Sequence, residues 1–139
     1  MNRVIKFRGK RPDNGKWYFG SLVTWQNGYV EIIDEKENKA GREKITVLPK
    51  TVGQFTGLKD KDGKEIYEGD IITIKYDKEE VYVRKLIRYI PELSAFCSAN
   101  IKELGLKFIY PYSSITQEYI NELHFEVIGN IHDNPDLLN

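Results

Sequence analysis

Apolar and polar positions alternate along most of this chain with the two-residue period of strands. Turn signals cut the alternation every eight to twelve residues or so, the spacing of an all-β fold. Val4–Arg8 predicts a first strand, closed by Gly9 and by the PDNG turn at 12–15. Lys16–Thr24 (KWYFGSLVT) predicts a second, with Trp17 and Phe19 on one side of the pleat and Tyr18 on the other. Asn27-Gly28 is a hairpin signal leading into YVEIID at 29–34. Residues 34–44 are polar and lack large apolar groups, which predicts an exposed loop. Ile45, Val47 and Leu48 form a further short strand before Pro49.

Residues 54–72, QFTGLKDKDGKEIYEGDII, compress a strand end, two turns and a strand start into one cassette. Asp62-Gly63 offers the positive-φ positions of a two-residue hairpin turn. Gly69-Asp70 then launches the apolar run of Ile71, Ile72 and Ile74. Asp62, Gly63, Gly69 and Asp70 are therefore candidate turn-building residues, and the Asp70 carboxylate can accept backbone N–H bonds from the adjacent turn. Strands follow at Ile71–Tyr76 and Val81–Ile90, with a turn at 77–80 and a break at Pro91. Phe96–Ala99 and residues 104–112 look extended, with Pro111 marking an edge or an exit. One short helix is expected at 114–123, with Ser114 as N-cap, Gln117 completing a capping box, and Ile115, Tyr119, Ile120 and Leu123 on one face. Phe125–Ile131 reads as a closing strand, and the tail docks through Leu137 and Leu138.

This pattern predicts a mainly β protein: an N-terminal meander over 1–53 packed with a small barrel-like antiparallel sheet and one helix over 54–139. Twelve per cent aromatic residues, nine of them Tyr, favour the same class. The apolar runs fall short of a bilayer span, and the N-terminus lacks the apolar core of a secretory signal. With a single cysteine, Cys97, no internal disulfide or multi-cysteine metal site can form, and the expected location is the cytoplasm. Net charge is zero, so no global field draws the protein to nucleic acid or to membranes. The ends differ in sign: Arg3, Lys6, Arg8, Lys10 and Arg11 open the chain, whereas Glu118, Glu122, Glu126, Asp133 and Asp136 close it.

Three segments carry a family resemblance: IKFRGKRPDNGKWYFG, VLPKTVGQFTGLKDKDGKEIYEGDII, and VIGNIHDNP followed by DLL. Together they resemble the YopX family, small proteins of phages and prophages of Gram-positive bacteria. The resemblance covers nearly the whole chain and is weakest over 79–120. It implies a mainly β fold and a phage or prophage origin, and brings no enzymatic role or catalytic residues with it.

The residues themselves offer few chemical centres. DKDGKE at 60–65 lacks EF-hand spacing, because position four is Gly63 and position twelve is Ile71. His124 and His132 match neither HxH nor HExxH, and an extended strand would hold them up to ~26 Å apart. Cys97, in the apolar segment AFCSA, reads as a buried inert thiol. No catalytic, cofactor-binding or metal-binding residue is expected. Arg84, Lys85 and Arg88 beside Tyr82 and Tyr89 mix cations with stacking rings, as do the N-terminal cations beside Trp17 and Tyr18. Three hypotheses follow: a non-enzymatic accessory protein that binds a protein partner or itself, a single-stranded nucleic-acid-binding module using those strands, and an enzyme centred on Asp70 with Glu68 and a histidine.

Overall fold

The computed structural model of this chain describes residues 3–75, 82–101 and 112–139. It comprises two compact units, Met1–Phe55 and Thr56–Asn139. The protein is mainly β, with two antiparallel sheets and a single α-helix among the described residues. The turn expected at 77–80 and nearly all of the extended segment expected at 104–112 lie outside those residues.

The first unit is built from β1 (Phe7–Lys10), β2 (Trp17–Thr24), β3 (Val30–Asn38) and β4 (Gly41–Thr46), followed by the start of β5 (Gly53–Lys59). Successive hairpins make β1 to β4 a meander, and β5 pairs with the other edge of β1. Val30, Ile32, Ile45 and Val47 form its core, with Phe7, Tyr18, Leu22 and Val52 packed against them. β1 lies further along the chain than the Val4–Arg8 expectation, and Gly9 sits inside it rather than ending it. The reason is steric: a Cβ at Gly9 would come within 2.7 Å of Val47 Cγ2, so only glycine admits the strand beneath that core residue.

Residues 34–44 are a ribbon rather than the expected loop. Glu37 stands opposite Arg42 and Asn38 opposite Gly41, so the polar segment pairs with itself. Asn38 Oδ1 accepts the Ala40 N–H at 2.9 Å, its Nδ2 donates to Glu43 at 3.1 Å, and Asp34 Oδ1 accepts the Lys36 N–H at 2.9 Å. Backbone pairing across the ribbon and turn-forming side chains replace apolar burial as the source of order.

The second unit takes over within β5 and continues through β6 (Glu65–Tyr67), β7 (Asp70–Lys75), β8 (Tyr82–Ile90), β9 (Ala95–Asn100), β10 (Tyr112–Ser114), α1 (Gln117–Glu122) and β11 (Glu126–Asn130). The two sheets run β4-β3-β2-β1-β5-β6 and β10-β9-β8-β7-β11. Ile66, Ile72, Ile74, Ile87, Ile120 and Phe125 form the second core, each at 0 % exposure. Fully burying an isoleucine contributes roughly 1.5–3 kcal/mol, so this cluster contributes substantially to the stability of the unit. Tyr119 meets Phe125 edge to face at 5.5 Å, which ties the helix to the strand that follows it.

The helix begins later than the capping-box reading places it. Ser114 belongs to β10, opposite Cys97, and Thr116 is the N-cap, accepting the Tyr119 N–H at 3.1 Å. That releases Gln117 for a different task. Its amide accepts from the Lys59 N–H at 3.1 Å and donates to the Lys59 carbonyl at 2.9 Å, serving the last β5 residue as a neighbouring strand would.

Candidate functional site

The predicted turn residues build a scaffold around Asp60, which lies outside the predicted Asp62-Gly63 pair. Asp60 bonds Lys64 (N–H to C=O, 2.8 Å) and Gly63 bonds back to Asp60 at 3.0 Å, so the turn has three central residues, not two. Gly63, at φ +82°, supplies the left-handed position that closes such a loop. Asp62 is mostly exposed and lies 3.4 Å from Lys61 Nζ. The 5 %-exposed carboxylate is that of Asp60: Oδ1 accepts the Asp62 and Lys64 N–H groups at 2.9 Å each, and Oδ2 accepts the Val127 N–H at 3.0 Å.

Asp70 is 1 % exposed, and its Oδ2 accepts the Tyr67 N–H at 2.7 Å. Gly69 bonds Ile87 through its N–H at 2.8 Å and Ile131 through its carbonyl at 3.0 Å. Asn130, opposite Asp70, organises the GNIHDN turn: its Oδ1 accepts the His132 and Asp133 N–H groups at 3.0 and 2.9 Å. A Cβ at Gly129 would fall 2.4 Å from Asn134 Oδ1, which explains the glycine of that motif. His132 thus reaches the same end of the sheet as Asp70 through a turn whose polar groups serve the backbone. His124 is exposed just after α1, in a left-handed conformation at φ +51°. No group of three or more His, Cys, Asp or Glu able to hold a metal occurs among the described residues.

The basic-aromatic group on β8 is divided by the pleat. Tyr82, Arg84 and Arg88 fall on one face, Lys85 and Tyr89 on the other. Lys85 is 6 % exposed, Arg84 donates to the Asn139 carbonyl at 3.1 Å, and Tyr89 stacks edge-on against Phe96 at 5.4 Å. The proposed contact residues therefore do not form one surface. At the N-terminus, Trp17 takes Arg8 at 4.7 Å and Lys10 at 5.6 Å, while Tyr18 packs on the core side. Lys6 lies 5.4 Å from the Phe55 ring and 3.1 Å from Glu35. These cations are engaged with rings and acids of their own unit.

Two exposed aromatic residues, Trp25 and Tyr29, lie at the tip of the β2–β3 hairpin. Trp25 bonds Tyr29 (N–H to C=O, 2.9 Å), Gly28 bonds back to Trp25 at 3.0 Å, and Gly28 takes φ +84°. Asn27 Oδ1 accepts the Tyr29 N–H at 3.0 Å. Register places Glu31 opposite Val23 and Thr46, and the pleat therefore puts Trp25, Tyr29, Glu31 and Thr46 on the face away from the core. Trp25 Nε1 donates to Glu31 at 2.9 Å, and the Tyr29 hydroxyl bonds Thr46. Both polar ends are satisfied, yet the rings are 51 % and 42 % exposed. Thr24, Trp25, Gln26, Asn27, Tyr29 and Glu31 line an open cleft of about 830 Å³ there. Two aromatic residues flanking the Asn-Gly turn are the signal that could have found this surface in the sequence.

The geometry is that of a two-sheet β protein whose conspicuous motifs build turns. A family match agrees with it: residues 6–139 match the YopX protein model, and the chain belongs to the YopX family. Among solved structures it is similar to protein EF1440 from Enterococcus faecalis. That likeness has a TM-score of 0.61 at 23 % identity and covers 99 % of this chain and 100 % of that one; it shows the fold. No curated protein matches the chain.

Proposed function

We propose that this YopX-family chain is a non-enzymatic phage or prophage accessory protein that acts in the host cytoplasm by docking a protein partner, with the β2–β3 hairpin tip as its contact surface. The observation that carries the reading is the state of Trp25 and Tyr29: roughly half exposed, with their polar ends already bonded to Glu31 of β3 and Thr46 of β4. Tryptophan and tyrosine are enriched at binding hot spots, and rings held in place lose little freedom on binding. The burial of Asp70 against the Tyr67 N–H favours a scaffolding role for that carboxylate over a catalytic one. Separation of Arg84 and Arg88 from Lys85 and Tyr89 across the pleat weighs against the nucleic-acid reading.

The test compares tagged wild type with the Trp25→Ala/Tyr29→Ala double variant, purified from Gram-positive cells carrying the phage, and measures the mass of each alone by light scattering. A co-purifying protein, or a self-associated mass, that disappears in the variant supports the reading. Identical partners and masses in both would remove the tip from consideration. Salt-sensitive binding of single-stranded DNA, lost in Arg84→Glu/Arg88→Glu, would favour the nucleic-acid module instead.

A further inference from the structure

We infer that the hairpin-tip cleft grips a cationic side chain of the partner polypeptide, arginine in preference to lysine. This rests on the tip being a contact surface, as proposed above, and adds the chemistry of what it holds. The six residues lining the cleft include two aromatic rings and one carboxylate, Glu31, and no cation. Lys44, two residues before Thr46 on the adjacent strand, shares this outer face but stands opposite Ile33, beyond the Glu31–Thr46 pair and outside the cleft lining. Within the lining, the electronegative faces of Trp25 and Tyr29 and the charge of Glu31 act in the same direction on an incoming group.

Glu31 Oε1 holds the Trp25 indole N–H at 2.9 Å, which anchors the ring beside the carboxylate rather than leaving each to move alone. An apolar ligand would desolvate that carboxylate without compensation, and an anion would be repelled by it. A guanidinium satisfies both components: its plane stacks on an indole, and its N–H groups pair with carboxylate oxygen. An ammonium gains the charge attraction but lacks the planar stacking. The open shape suits a side chain presented by a macromolecule rather than an enclosed small molecule.

The test uses the full-length chain labelled with nitrogen-15. Its two tryptophans give two indole N–H signals, with Trp17 as the internal reference. Hexa-arginine should displace the Trp25 signal, hexalysine should do so more weakly, and hexaglutamate should not. Glu31→Gln keeps an acceptor for the indole and should weaken hexa-arginine binding roughly tenfold, whereas Glu92→Gln should leave it unchanged. An arginine response that is equal in Glu31→Gln, or that moves Trp17 instead of Trp25, overturns the inference. So does the absence of any response. If the peptides fail while the Trp25→Ala/Tyr29→Ala variant still loses its partner, the contact surface stands and only its charge preference falls. If that variant also keeps every partner and its mass, the contact surface itself is wrong.

Discussion

The amide of Val127 donates to Asp60 Oδ2 at 3.0 Å, joining two residues 67 positions apart in the chain. Beside it, the Lys61 N–H reaches the Phe125 carbonyl at 2.9 Å. One buried carboxylate therefore shapes the β5–β6 turn and seats it on the start of β11. The turn is a tertiary joint as well as a reversal of the chain.

Removing that carboxylate leaves three backbone donors to find other partners. Asp60→Ala should lower stability by about 2–4 kcal/mol, since bonds to a charged acceptor are among the stronger ones. Asp62→Ala, at an exposed site in the same turn, should stay within about 0.5 kcal/mol. Urea unfolding followed by circular dichroism distinguishes the two, and equal losses would contradict the assignment.

Gly9 and Val47 should be energetically coupled. Gly9→Ala drives a methyl against Val47 Cγ2 and should cost about 1–3 kcal/mol. In the Val47→Ala background the space exists, and the same change should cost at least about 1 kcal/mol less. A double-mutant cycle that sums to additivity would place the strain elsewhere.

Gln117 serves Lys59 as both donor and acceptor. Gln117→Ala should cost about 1–2 kcal/mol and speed hydrogen exchange at the Lys59 amide. Gln117→Glu should be worse at neutral pH than at acid pH, because an ionised carboxylate cannot donate to the Lys59 carbonyl. Exchange at Lys59 that matches wild type in both variants would show the contact to be dispensable.

Burial pushes the Cys97 thiol above its ordinary range, with a hydrogen bond from Ser114 acting in the opposite direction. The folded state thus binds the proton more tightly than the unfolded chain. Stability from this group is complete below the unfolded thiol value of ~8.5 and declines as pH rises through the folded value. The native protein should resist iodoacetamide at pH 8 and react fully in urea. Relative to Cys97→Ala, wild type should lose stability above that pH; a parallel pair of pH profiles would refute the linkage.

Much of the architecture was legible in the residues. Ile71, Ile72 and Ile74 announced β7, and the Asn27-Gly28 and Asp62-Gly63 pairs marked real reversals. The misreadings share one cause. The ribbon at 34–44 is held by cross-strand partners such as Glu37 and Arg42, whose pairing depends on a register that composition does not reveal. The helix start moved because Ser114 is engaged opposite Cys97, seventeen positions earlier in the chain.

The candidate surface divides in the same way. The sequence by itself determined the strand periodicity, most of the turns and the impossibility of an internal disulfide, because these follow from neighbouring residues and simple counting. Only the tertiary structure decided that Asp60 rather than Asp62 is the buried anchor, and that Lys85 of β8 is buried while Arg84 and Arg88 are exposed. It also decided that Trp25 meets Glu31 across a hairpin. Each of these depends on which side chain the pleat and the register bring opposite another, a relation between distant positions that local chemistry does not encode.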